Sequence, residues 1–335
     1  MDTFGDPNIW LPLVFAGLLG LSILLYVILD GFDLGVGILV PFAEPAEQDR
    51  MVASIGPFWD ANETWLVLGI GILLVAFPSA HGVILTALYL PVAIMLLGLI
   101  MRGVAFEFRM KAPIEHKERW NWIFFAGSLM TAISQGYMLG LYIMGLERTL
   151  PHIAFSLVTA ACVAAGYAFI GATWLILKCE DELQRKAVRW ARNGLLGAAA
   201  GLAIVSLATP LVSPRIFDKW FSMPEFLLLA PMPLVSAALL FILWMSLKRA
   251  STLTENDWVP FTCAIGLFTV AFAGLAYSFY PYIVPEKLTI YQAASAPESL
   301  IIILVGTLFV MPVILAYTAL SYFIFRGKAT ELRYE

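Results

Sequence analysis

Trp59-Asp60-Ala61-Asn62-Glu63-Thr64-Trp65-Leu66-Val67-Leu68-Gly69-Ile70-Gly71-Ile72-Leu73-Leu74-Val75-Ala76-Phe77 is the stretch that decides the fold class. From Leu66 to Phe77 no side chain is polar, and Ile301 to Val313 is a second, nearly unbroken apolar run. A membrane-spanning strand would instead alternate apolar and polar residues over about 10 positions. The composition agrees. Of 335 residues, 61% are hydrophobic and 13% are charged, half of the roughly 25% that a soluble domain carries. Mean hydropathy is +0.85. The 20 Lys and Arg and 24 Asp and Glu cannot give so apolar a chain a polar skin, which excludes a soluble globular enzyme, and the same figures exclude disorder. The class is an all-α polytopic membrane protein.

The remaining totals are mostly exclusions. A net charge of −4 supplies no basic field for nucleic acid. Cys162, Cys179 and Cys263 stand far apart without a CxxC, so they suggest packing residues rather than a disulfide framework or a zinc site. A membrane-embedded bis-histidine heme needs paired histidines on facing helices. His81 and His152 fall at outer helix ends and His116 in an inner loop, so the chain is not expected to own such a heme or a metal cluster. The leader Met1 to Asn8 carries Asp2 and Asp6 and no basic residue. The first span is therefore expected to stay in the protein and not to be removed as a signal peptide.

A spanning helix takes about 20 apolar residues. Charge clusters and turn residues divide the chain into nine spans, at roughly 10–30, 51–77, 82–102, 121–146, 152–177, 194–213, 224–247, 258–282 and 299–325, within a single transmembrane domain covering 1–335. With the N-terminus outside, only Arg148, Arg215, Lys219 and Lys287 lie in outer segments, and the other 16 of the 20 basic residues lie inside. The positive-inside rule therefore predicts a periplasmic N-terminus and a cytoplasmic C-terminus. The charged segments near 103–120 and 178–193 are expected as short surface helices. Pro91 and Pro312 predict kinks.

Carboxylates within this apolar chain mark the region to examine for function. Asp30-Gly31-Phe32-Asp33-Leu34-Gly35 ends the first span, and Asp60 and Glu63 precede the apolar run of the second. A second helix beginning after Glu63 would leave about 14 residues before Pro78, or ~21 Å, short of a ~30 Å core. The spacing thus predicts a helix starting near Arg50, with Asp60 ten residues and about 15 Å inside it. Asp60 and Glu63, at i and i+3, share a face. An ionisable group at such depth costs about 2.5–3.5 kcal/mol and usually faces protein or a wet cavity. The pair reads either as a proton path or as a polar knot that fixes packing through Asn62 and Thr64. Asp30 and Asp33 are also i, i+3. Asp30 and Arg102, at matched depth near the inner helix ends, read as an ion pair or as two independent interfacial charges. Trp59 and Trp65 bracket the carboxylates, as walls against lipid or as packing.

At these motifs the chain resembles subunit II of the cytochrome bd ubiquinol oxidases, including the cyanide-insensitive branch. The resemblance rests on Leu29-Asp30-Gly31-Phe32-Asp33-Leu34-Gly35-Val36-Gly37, Ile55-Gly56-Pro57-Phe58-Trp59-Asp60-Ala61-Asn62-Glu63-Thr64-Trp65, Arg102-Gly103-Val104-Ala105-Phe106-Glu107-Phe108-Arg109 and Tyr280-Pro281-Tyr282-Ile283-Val284-Pro285. It runs from about residue 10 to 328, most specifically in the first hundred residues and mainly as hydropathy in the middle third. It implies nine helices, as two four-helix bundles plus a peripheral one, in the bacterial inner membrane. It implies a heterodimer with a subunit I that carries two b-type hemes, one d-type heme and the ubiquinol site, and it leaves room for a small single-helix accessory subunit. The complex of that family oxidises quinol and reduces O2 to water with cytoplasmic protons, without pumping. Some members hold a structural quinone in subunit II. Carried over by motif, Asp60 with Trp59 is the leading proton-path position and Glu63 stands where some relatives have an amide. Asp30, Asp33 and Arg102 belong to the buried polar interior, and Trp65 matches a tryptophan near a proposed oxygen entrance. A secondary transporter, which also places carboxylates at mid-depth, and a purely structural assembly subunit are the competing readings.

Overall fold

The computed structural model describes residues 5–223, 225–249 and 256–329. Asp2 and Arg333, used above for the leader and the charge balance, lie outside them. The chain is almost wholly helical. In order, the helices are α1 (Pro7–Leu39), α2 (Pro45–Ile55), α3 (Trp59–Ala76), α4 (Pro78–Lys111), α5 (Ile114–Ile143), α6 (Leu150–Lys178), α7 (Asp181–Val212), α8 (Pro214–Phe221), α9 (Glu225–Leu229), α10 (Pro231–Arg249), α11 (Trp258–Phe279), α12 (Ile290–Ala293) and α13 (Pro297–Ile324). Between α11 and α12, the strands β1 (Tyr282–Val284) and β2 (Leu288–Thr289) form a small antiparallel hairpin.

Among the described residues, eight helices are long and apolar enough to cross a membrane: α1, α3, α4, α6, α7, α10, α11 and α13. Helix α5 is 30 residues long, but Ser128, Thr131, Ser134 and Gln135 make its centre more polar. The basic segments expected as separate surface helices are continuous with long ones. Residues 103–111 complete α4, 114–120 open α5, and 181–193 open α7, because no breaker divides the charged turns from the apolar ones. Arg109 and Lys111 end α4, and Asp181 and Glu182 start α7, each with the sign that the helix dipole favours.

The second span departs from expectation. Helix α2 stops at Ile55, residues 56–58 form a turn, and α3 starts afresh at Trp59. Pro57 is the physical cause, since it has no N–H and its ring clashes with the preceding turn of a continuing helix. The 18 residues of α3 still extend about 27 Å. Asp60 is therefore the second residue of its helix and not the tenth of a longer one.

The chain forms two units. The first contains the chain up to Asp30, Pro57–Ala87 and Phe279–Gly327. Its core joins Trp65 of α3, Tyr26 of α1 and Met311 of α13, packed with Leu18, Leu66 and Ile314. The last carbonyls of α3 have no partner within their own helix. Ser295 meets two of them, its N–H donating to Ala76 O (2.9 Å) and its hydroxyl to Val75 O (2.7 Å).

The second unit contains Gly31–Gly56, Leu88–Ser278 and the chain from Lys328. Its largest helix contacts are α5 with α6 and α6 with α7, and small residues bring backbones together there. A Cβ on Gly136 or Gly140 of α5 would lie 2.6 Å from Ala160 Cα or 2.5 Å from Ser156 Cα of α6. Gly35 of α1 and Gly171 of α6 meet backbone to backbone, as do Gly98 of α4 and Gly127 of α5. Lys328 closes the end of α6, its ammonium donating to Leu177 O (2.9 Å) and Cys179 O (3.3 Å). Burial pushes the Cys179 thiol up to about 12, so it stays protonated, as a packing residue would.

Candidate functional site

The first turn of α3 sorts its side chains by helical phase. Asn62 is wholly buried and Trp65 nearly so, Trp59 and Glu63 are half-buried, and Asp60 and Thr64 are exposed on this chain. Asp60 and Asn62 are two residues apart, about 200° around the helix axis, so an inward amide and an outward carboxylate go together. Asp60 is also the acidic residue of the first turn, where the helix dipole favours negative charge. The Thr64 hydroxyl donates to Ala61 O (2.6 Å) within the same turn.

Asn62 joins three helices of the first unit. Its amide nitrogen donates to Leu29 O of α1 (3.4 Å), and its carbonyl accepts from the Tyr322 hydroxyl of α13 (2.9 Å). Leu29 immediately precedes Asp30. Of the two residues read as a polar knot, Asn62 makes contacts between helices, with Tyr322 as a partner 260 positions away that no local sequence signal announces, whereas the Thr64 hydroxyl bonds within its own turn. Trp65 lies in the core with Tyr26 and Met311.

Asp30 and Asp33 are both 0% exposed on α1, and Arg102 on α4 is 1% exposed. All three side chains are shielded from solvent by this chain alone. The glycines of the same α1 motif have a packing role. A Cβ on Gly31 would meet the Tyr167 ring at 2.8 Å, one on Gly35 would meet Tyr167 O at 1.8 Å, and one on Gly37 would meet Ser128 Oγ at 2.1 Å. Phe32 stacks on Trp174 with centroids 4.2 Å apart. The Tyr167 hydroxyl donates to Gln135 Oε1 (2.6 Å), so polar side chains of α5 and α6 line the surroundings of this motif.

A polar cluster in the second unit escaped the sequence reading. Arg109, 2% exposed, pairs with Asp49 (2.7 Å) and donates through Nε to Asn121. Asn121 donates to Gln48 Oε1 (2.6 Å), and Lys117 approaches Asp49 at 3.3 Å. Beside it, Glu47 accepts from Lys186 (2.7 Å) and from the N–H of Glu44 (2.9 Å). Burial alone would push the Glu47 carboxyl up, but the Lys186 ammonium, the Glu44 N–H and the Arg50 charge outweigh it and hold the group below the ordinary carboxylate value. The available sequence signal was the density of charge at 44–50 and 109–121.

Each histidine stands in the first turn of a different helix: His81 in α4, His116 in α5 and His152 in α6. His152 is hydrogen-bonded to Thr149 and lies 3.9 Å from Glu147. Among the described residues no group of His, Cys, Asp and Glu is arranged to hold a metal ion.

Comparison with known proteins agrees with these motifs. A family model described as cytochrome bd terminal oxidase subunit II matches residues 11–325. The chain is 27% identical over 334 residues to the cytochrome bd ubiquinol oxidase subunit 2 of Bacillus subtilis (strain 168), covering 91% of this chain and 93% of that one. It is 25% identical over 362 residues to the cytochrome bd-I ubiquinol oxidase subunit 2 of Escherichia coli (strain K12), covering 94% of each. In fold it matches a chain of the bd oxidase structure from Geobacillus thermodenitrificans, with a TM-score of 0.74 and 19% identity, over 93% of this chain and 99% of that one.

Proposed function

We propose, from the premise that this chain belongs to the cytochrome bd terminal oxidase subunit II family, that it is the proton-delivering and supporting subunit of a quinol:O2 oxidoreductase in the bacterial inner membrane. In this reading it crosses the membrane nine times, as two four-helix bundles and a peripheral helix. Its partner, subunit I, carries the two b-type hemes, the d-type heme and the ubiquinol site, and those groups supply the electron transfer and O2 reduction. The contribution of this chain is to bring protons from the cytoplasm to that chemistry, so that a gradient forms without pumping.

The observation that carries the reading is the tie between the first turn of α3 and α1. Asp60 stands exposed on a turn whose Asn62 is hydrogen-bonded to Leu29 O, one residue before the wholly buried Asp30. An outward carboxylate that accepts a proton and inner carboxylates that receive it are the parts a relay needs. Asp60 is assigned as the entry group, with Trp59 and Glu63 beside it. Asp30, Asp33 and Arg102 are assigned as the buried polar groups of the relay. Trp65 is assigned to oxygen access and, like a structural quinone, is secondary to the proton role.

The test is quinol-driven O2 consumption by complexes carrying Asp60→Asn or Asp60→Ala with full heme spectra. Both are expected to lose about a hundredfold or more in turnover, within the range for losing a group that transfers a proton. Wild-type turnover in both would leave the chain a structural assembly subunit. A stable, heme-free monomer that binds a transported solute would make it a transporter.

A further inference from the structure

Pro57 gives the first turn of α3 an unusual freedom. The turn at 56–58 interrupts the helical hydrogen-bond ladder between α2 and α3, so α2 does not set the rotational phase of α3 through its backbone. Something else must decide which residues of Trp59–Trp65 point inward. Among the polar side chains of that turn only Asn62 is wholly buried, and its contacts form a closed circuit. The Asn62 N–H donates to Phe58 O (2.9 Å). The Phe58 ring, 1% exposed, stacks on the Tyr322 ring with centroids 4.5 Å apart and planes 20° from parallel. The Tyr322 hydroxyl returns to the Asn62 carbonyl at 2.9 Å. The amide nitrogen of Asn62 then ties the circuit to α1 at Leu29 O. Phe325, edge-on to Phe58 at 6.1 Å, supports it from the end of α13.

We infer that Asn62 and Tyr322 are positioning residues for the Asp60 carboxylate. They form a clasp that fixes the rotation of the first turn of α3, and so the direction in which Asp60 presents its oxygens. The geometry is direct: with Asn62 held inward, Asp60 lies about 200° away and faces out, and Glu63 lies about 100° from Asn62, at the edge of the buried face. Neither Asn62 nor Tyr322 takes the proton. An amide does not titrate in this range, and the phenol already donates to it. Their effect is on the distance and angle over which Asp60 hands a proton on, and a misplacement of about 1 Å can cost of the order of a hundredfold in a rate. The inference rests on the proton-path reading of Asp60 given above.

The experiment uses the assembled oxidase complex. Tyr322→Phe removes one oxygen atom and keeps the ring on Phe58, so the packing of the variant is preserved. Asn62→Leu removes the amide and with it the hydrogen bonds to Leu29 O and Tyr322. With turnover normalised to heme content, Tyr322→Phe is expected to lower kcat about tenfold while KM for quinol stays unchanged, and to displace the limb of the pH–rate profile that reports proton uptake. Asn62→Leu is expected to do the same more strongly. In an Asp60→Asn background, Tyr322→Phe should have no further effect, because it acts through that carboxylate. A wild-type kcat and pH profile in Tyr322→Phe would overturn the clasp, and so would full additivity with Asp60→Asn. Wild-type turnover in Asp60→Asn alone would instead remove the proton-path reading on which the clasp depends, so the two failures are distinguishable.

Discussion

Glu47 and Asp60 are carboxylates with opposite surroundings, and the difference is set by partners rather than by local sequence. Glu47 is 6% exposed, yet it stays ionised because Lys186 and the Glu44 N–H compensate its burial. Its folded pKa lies below its unfolded one. The stabilisation it contributes is therefore fully present above the unfolded value and is lost as pH falls through the folded value. The Tm gap between wild type and Glu47→Gln should be constant above a pH of about 5 and should shrink as pH drops below about 4. Thermal denaturation of the complex across that range checks this, and a gap that widens on acidification would contradict it. From sequence, Asp60 stands deep inside a longer helix and Glu47 draws no attention. The sequence could not show that Lys186, 139 positions from Glu47, would be the partner. It also could not show that Asp60 faces outward, because the break at Pro57 resets the helical phase from which facing is read.

At the scale of elements, the motif from Asp30 to Gly37 carries two kinds of information. Sequence reading found its carboxylates, which stand out in an apolar span. Its glycines were quoted as part of a family pattern, and their physical reason emerges only where α1 lies against α6. Gly35 has no room for a methyl group: a Cβ there would fall 1.8 Å from Tyr167 O, a backbone atom that cannot rotate away. Gly35→Ala should therefore push α1 and α6 apart and destabilise the subunit by about 1–3 kcal/mol or more. That loss should appear as a lower Tm and less assembled complex. At Gly17, on the same helix, a Cβ would meet nothing within 4 Å. Gly17→Ala should be neutral or slightly stabilising, since a mid-helix glycine costs roughly 0.5–1 kcal/mol relative to alanine. Comparable losses from both substitutions would mean that helix propensity, rather than close approach, governs the motif. The second span teaches the converse lesson. Its existence was plain from Leu66–Phe77, but the length argument that drew it back to Arg50 took helix continuity for granted, and Gly56-Pro57 breaks it.

For the whole molecule, the number of crossings determines whether the two termini share a side. Mean hydropathy selects eight helices among the described residues, which alone would return the C-terminus to the side of the N-terminus. Helix α5 is the ninth candidate. At 30 residues it extends about 45 Å, ample for a ~30 Å core. Beyond its charged first turns, its polar side chains mostly occupy buried positions, with Asn121, Ser128, Thr131 and Ser134 all at most 5% exposed, while Trp122 and Ile133 are exposed. An average over a window cannot see that distinction, whereas a polar stripe turned toward protein leaves the lipid-facing side apolar. The distribution of charge gives independent support, because a crossing at α5 places Arg148 outside and leaves 16 of the 20 basic residues inside. Reporter fusions test the point directly. Fluorescent protein joined after Glu335 should fluoresce, as it does only in the cytoplasm, and alkaline phosphatase joined after Arg148 should be active, as it is only in the periplasm. An inactive phosphatase at Arg148 would keep α5 on one side of the membrane and reduce the count to eight, and the proton-entry face assigned to Asp60 would then have to be reassigned with it.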